Sequence, residues 1–68
     1  MKKIIFAQRL KQLREKSGLS QKELAKILSV KQSSISAWER AACKPKLLHF
    51  VKIAKYFNVS CNFLVGLD

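Results

Sequence analysis

Residues 20–40 read SQKELAKILSVKQSSISAWER, two short helical patterns separated by a break too small for a free loop. The first opens on Ser20, a favoured N-cap, and Glu23 follows three residues later. Together they form a capping box that satisfies two otherwise unpaired backbone donors, so a helix is predicted to start at Gln21. Leu24, Ala25, Ile27 and Leu28 fall on one broad side of it, with Lys22, Lys26 and Ser29 on the other. The second pattern runs from about Lys31 to Arg40. With about 100° of rotation per residue, Trp38 and Glu39 lie within about 60° on either side of Ile35, which marks the inward edge. Ser33, Ala37 and Arg40 lie nearly opposite, with Ser36 and Gln32 on one flank. That outward face is short, polar and nearly flat. Such a surface suits the major groove: small residues permit close approach, Gln can pair bidentately with adenine, and Ser can meet a base edge or a phosphate. An ordinary solvated helix face is the competing reading.

The unit as a whole decides between these two readings. The run LSQKELAKILSVKQSSISAWER resembles the helix-turn-helix of the Cro and phage-repressor type, the XRE family. Gln21 after the cap, Leu24 with Ala25, Val30 in the turn, Ile35, and the Trp38, Glu39, Arg40 run all occupy that family's positions. The resemblance extends over about Ile5 to Leu67. It implies an all-α, five-helix, lambda-repressor-like domain that binds double-stranded operator DNA as a transcription regulator, with a recognition helix over about residues 31–41 in the major groove. Carried over residue by residue, it makes Gln32, Ser33, Ser36 and Ala37 the base-edge readers and Gln21 a phosphate contact. Lys31 and Ser34 at the recognition helix, and Arg40, Lys44 and Lys46 beyond its end, are the further expected phosphate contacts. There are two departures from the family pattern. Ser29 stands where glycine is frequent, at a cost of roughly 1 kcal/mol if the turn is left-handed. Ala41 stands where glycine commonly stops the recognition helix, so the helix is expected to continue to Ala42.

Length and charge agree with a small DNA-binding domain. Sixty-eight residues make one domain, near the lower limit for a single core without staples. Fourteen Lys and Arg against four Asp and Glu give a net charge of +10, which calls for an anionic partner: nucleic acid first, an anionic membrane second. The apolar run from Ile4 to Ala7 is too short for a signal peptide and no stretch approaches a transmembrane helix, so a cytoplasmic protein is expected. Cys43, Cys61 and His49 make no metal spacing, and no cofactor is expected. Both cysteines read as reduced thiols, with a packing role for Cys61.

The remaining helices support the motif. A first helix from about Ile5 to Lys16 carries Phe6, Leu10 and Leu13 on one stripe and stops at Ser17 and Gly18. Arg14 borders that stripe, and Glu39 sits on the inward edge of the recognition helix. Opposite charges each drawn toward the interior need one another, so an Arg14 to Glu39 ion pair is predicted; the family resemblance agrees. A connector closed by Pro45 leads to a fourth helix, Leu47 to Phe57, with Leu47, Phe50, Val51, Ile53, Ala54 and Phe57 as its apolar face and His49 at the surface. Ser60 is predicted to cap a last helix from Cys61 to Val65. Phe63, Leu64, Val65 and Leu67 exceed what one terminal turn needs, so some complete the core and the others are free for a homodimer that would read a palindrome.

The reading is therefore a repressor acting by operator occupancy. Two alternatives stand: a protein-partner module such as an antitoxin or coactivator, and a basic membrane-surface helical protein. An enzyme is the weakest option, since no metal constellation, phosphate loop or nucleophile pair is evident.

Overall fold

The computed structural model describes residues 3–67, and every regular element among them is a helix. In chain order these are α1 (Lys3–Lys16), α2 (Gln21–Leu28), α3 (Gln32–Glu39), α4 (Leu47–Phe57) and α5 (Cys61–Val65). Their boundaries follow local chemistry. Ser20 caps α2 through the full reciprocal box with Glu23, and the Ser60 hydroxyl accepts from the Phe63 N–H at the head of α5. Gly18, at φ +72°, ends α1 while the Leu19 N–H reaches back to the Arg14 carbonyl. At the other end of the chain Gly66 adopts φ +80°, and a β-carbon there would come within 3.0 Å of the Ile5 side chain. Both the backbone and the close approach of α1 require glycine.

One core joins all five helices. Phe6 and Leu10 of α1, Leu24 and Leu28 of α2, Ile35 of α3, Ile53 of α4 and Leu64 of α5 are all but fully buried. Each such side chain contributes about 1.5–3 kcal/mol relative to leaving it in water. Phe6 and Phe50 stack across α1 and α4 with ring centroids 5.6 Å apart. α3 packs on α2 and α1, while α5 is held against α1 and α4. Arg9 reinforces the α1 to α5 contact, its guanidinium lying 4.3 Å from the centre of the Phe63 ring and donating to the Phe63 carbonyl.

Several expectations are corrected by the packing. α1 begins at Lys3, before Ile5. α3 ends at Glu39 rather than running to Ala42, because Ala41 itself turns left-handed at φ +58° without a glycine. The Ala42 N–H then closes on the Ala37 carbonyl and the Ala41 N–H on that of Trp38, so the helix stop is made by backbone geometry that alanine tolerates only at a cost. Ser29 is left-handed too, at φ +58°, the strained case foreseen from its sequence. Ile27 is 41% exposed and Leu47 77%, so neither joins the core despite lying on an apolar helix side. Cys61 is exposed at the first residue of α5 and has no packing role. His49 is half-buried instead of on the surface, its ring 5.8 Å from that of Trp38.

Relieving the strain at the helix stop gives a first prediction. Ala41→Gly is expected to raise stability by about 0.5–1 kcal/mol, read as an upward shift in thermal midpoint, since glycine enters the left-handed region without a steric penalty but loses more chain entropy. Asn58, at φ +55°, already tolerates that conformation, so Asn58→Gly should change little. Equal shifts for the two variants would show that Ala41 is not strained.

Candidate nucleic-acid interface

α3 is hung from the core by Ile35 and Trp38, which leaves its opposite side outward. Ser33 and Arg40 are exposed there with Ala37 half-buried between them, Gln32 is exposed on one flank, and Ser34 and Ser36 are half-buried at the margins. No bulky apolar side chain interrupts the face. Arg40 folds back along its own helix, Nε donating to the Ser36 hydroxyl at 3.3 Å. That places its guanidinium beside the outward face and leaves the Ser36 hydroxyl its own proton to donate.

The orientation of α3 is set by a buried ionic clamp. Arg14 Nε and Nη2 donate to the two carboxylate oxygens of Glu39 at 2.6 and 3.0 Å, and Nη1 donates to the Leu19 carbonyl at 2.8 Å. The side chains are only 11% and 4% exposed, so the pair is desolvated and needs this bidentate geometry to compensate. The hydrogen bonds that Arg14 donates to the Glu39 carboxylate raise the Arg14 pKa above its ordinary value. Its stabilising contribution is therefore present below that ordinary value and vanishes only at extreme alkalinity. Gln21 completes the network: its amide nitrogen donates to Glu39 at 3.1 Å, tying the first residue of α2 to the last of α3. One amide hydrogen of Gln21 is thus engaged inward, and the second remains for an anion.

Sequence reasoning missed a contrast among the helix starts. Serine hydroxyls cap α2 and α5, whereas the N-cap positions of α3 and α4 are Lys31 and Lys46, which supply no side-chain hydrogen bond. The first N–H groups of α3 and α4 therefore lack a side-chain acceptor, and the helix dipole places positive potential there. An anion such as a phosphate can take the place of the cap. The signal was available, since lysine is a poor N-cap and appears at two helix starts where serine, threonine, aspartate or asparagine would be favoured. Lys44 and Lys46 are exposed on the connector between these helices. Among the described residues, no group of three or more His, Cys, Asp and Glu side chains is placed to hold a metal ion.

The sequence pattern of the helix-turn-helix family matches residues 10–64, from α1 into α5. The chain belongs to the XRE-type helix-turn-helix family. Among relatives of this helix-turn-helix chain, the transcriptional regulator ImmR of Bacillus subtilis is 36% identical over 63 residues, covering 93% of this chain and 50% of its own length. The transcriptional activator BcrR of Enterococcus faecalis is 35% identical over 61 residues, covering 90% of this chain and 30% of its own. The helix-turn-helix chain thus spans half or less of these two curated relatives. In three dimensions it is similar to the restriction-modification controller protein C.AhdI of Aeromonas hydrophila, with a TM-score of 0.81 and 31% identity over 91% of this chain and 94% of that one.

The capping box beside this interface carries a pH signature. The Ser20 backbone N–H, and then its hydroxyl, hold the Glu23 carboxylate below its ordinary pKa. A lowered folded-state pKa means that the box stabilises fully above the ordinary glutamate value and is lost as pH falls through the lowered one. Wild type and Glu23→Gln are expected to differ in thermal midpoint near neutrality and to converge in acid below that value, as measured by circular dichroism against pH. A constant offset down to the acid limit would assign the effect to something other than ionisation.

Proposed function

We propose that this chain is a sequence-specific, double-stranded DNA-binding transcriptional regulator, a repressor that acts by occupying its operator. The observation that carries the reading is the outward face of α3: short, polar, free of bulky apolar groups and held in one orientation by the buried Arg14, Glu39 and Gln21 network. In this reading Gln32, Ser33, Ser36 and Ala37 meet base edges in the major groove. Gln21, Lys31, Ser34, Arg40, Lys44 and Lys46 meet phosphates, joined by the uncapped N–H groups at the starts of α3 and α4. Phosphate contacts set register and affinity, and base contacts select sequence. A homodimer on a palindrome extends this: the body measures 28 × 24 × 21 Å, a size that lets two copies side by side reach half-sites about 34 Å apart. No helix among the described residues is long and apolar enough to cross a membrane. Activation is the second reading, favoured by the similarity to the transcriptional activator BcrR.

The deciding experiment is in vitro selection from a randomised duplex pool at near-physiological salt, where binding driven by counterion release is suppressed. An enriched motif with half-sites one helical turn apart is expected. Enrichment without any common motif would remove α3 from base reading. Once a site is known, Lys46→Ala should weaken specific and random duplexes alike and flatten the plot of log affinity against log salt by about one unit. An unchanged slope would take Lys46 off the phosphate backbone.

A further inference from the structure

Two bonds tie Arg40 to Ser36. The Arg40 backbone N–H donates to the Ser36 carbonyl at 3.0 Å, and its Nε donates to the Ser36 hydroxyl oxygen at 3.3 Å. Arg40 is the C-cap of α3, and Ala41 turns left-handed straight after it, so the chain leaves the helix axis there. The Arg40 side chain instead folds back over the residue one turn earlier. Gln32, Ser36 and Arg40 thereby form one row at four-residue spacing along the reading helix, with half-buried Ser36 in the middle.

This contact sets the polarity of the Ser36 hydroxyl. An unengaged serine hydroxyl can donate or accept and so meets any base edge. Here a cationic donor occupies one lone pair, which polarises the hydroxyl and makes its O–H the better donor. The same positive charge repels a second donor approaching the oxygen. An acceptor is the partner that remains favourable. In the major groove guanine presents N7 and O6, adenine N7 and thymine O4, whereas cytosine presents only its amino donor.

We propose that Arg40 is a positioning residue for base selection: its Nε holds Ser36 as a hydrogen-bond donor, so that Ser36 rejects cytosine on the strand it faces. The proposal rests on the α3 reading given above and deepens it. The other guanidinium N–H groups keep the phosphate contact already assigned, so one side chain joins backbone anchoring to base choice. Four residues of helix rise about 6 Å, more than the roughly 3.4 Å between base pairs, so Gln32 and Ser36 meet different base pairs.

The test uses the full chain and the duplex enriched by in vitro selection, with all four bases placed in turn at each half-site position. Ser36→Ala identifies the position that Ser36 reads, as the one whose base preference it flattens. There wild type should bind cytosine at least about fivefold more weakly than the best base, the factor one hydrogen bond carries. Arg40→Met should weaken every duplex through the lost phosphate contact. At the Ser36 position alone it should also shrink the cytosine penalty to about twofold or less. Arg40→Lys should recover affinity but not that penalty, because a point charge on a flexible stem does not hold serine and phosphate together as the planar fork does. Arg40 is exposed, so both variants should keep the wild-type thermal midpoint. Uniform weakening by Arg40→Met with the cytosine penalty intact would overturn the proposal. So would full recovery of the penalty by lysine, a wild-type preference for cytosine at that position, or a Ser36→Ala variant that flattens no position. In each of these outcomes the enriched motif stands. A pool without any enriched motif would instead reject the DNA reading, and this proposal with it.

Discussion

Glu39→Gln should lower stability by about 3 kcal/mol, roughly 12–24 °C in thermal midpoint for a domain of this size. The carboxylate accepts from Arg14 twice and from Gln21 once, with almost no access to water. Glutamine keeps one acceptor oxygen but turns an NH₂ group toward the guanidinium, leaving a buried cation without its counter-charge. Most of the loss is the cost of that unpaired charge rather than the net worth of the pair. The double variant Arg14→Met with Glu39→Leu should therefore recover part of the loss, because it removes both charges and fills the space. Urea unfolding of the three variants measures this, and an unaltered midpoint for Glu39→Gln would reject the clamp. The functional consequence is separable. With α3 released from α1 and α2, folded protein should lose discrimination among duplexes at temperatures well below its melting transition.

Gln32→Ala is expected to cost about 1–3 kcal/mol on the selected duplex and nothing on a random one, the signature of a bidentate base contact. Gln32 is the first residue of α3 and is exposed on the flank of the outward face. Its amide offers one donor and one acceptor side by side, which matches adenine in the major groove. Titration of both duplexes at one salt concentration, with a substituted base at each position of the half-site, locates the contact. Equal loss on both duplexes would make Gln32 a phosphate contact, and no loss on either would remove it from the interface. Alanine is the better helix former of the two, so a folding defect does not confound the result.

The features read correctly from sequence share one property, that their causes are local or stoichiometric. Ser20 with Glu23, Ser60 and Gly18 set helix ends through hydrogen bonds within a few residues, and each appears where its residue type places it. The inward edge of α3 followed from rotation per residue alone. Arg14 and Glu39 were matched across 25 positions because two charges drawn to the interior have few other ways to be satisfied. Gln21 was not legible as the third member. Polar side chains at a helix start have many possible partners, and only the close packing of α2 on α3 brings this one to Glu39.

The misread residues are those whose burial depends on how far a neighbouring helix extends. Periodicity assigned Ile27 and Leu47 to apolar sides, yet no element covers them, and the same periodicity left His49 outside although Trp38 reaches it across the α3 to α4 connector. Helix stops at Ser29 and Ala41 break the local rule for the opposite reason. Packing Ile35, Trp38 and Phe50 into one core stabilises by more than the roughly 1–2 kcal/mol that a left-handed residue costs, so the chain turns where the core requires. The sequence by itself determined the helices, the motif and the polar face, because propensity, capping and periodicity act over a few residues. The tertiary structure alone decided where α3 stops, which leucines remain in water and how Gln21 joins the clamp, because those depend on contacts between helices that no local pattern encodes.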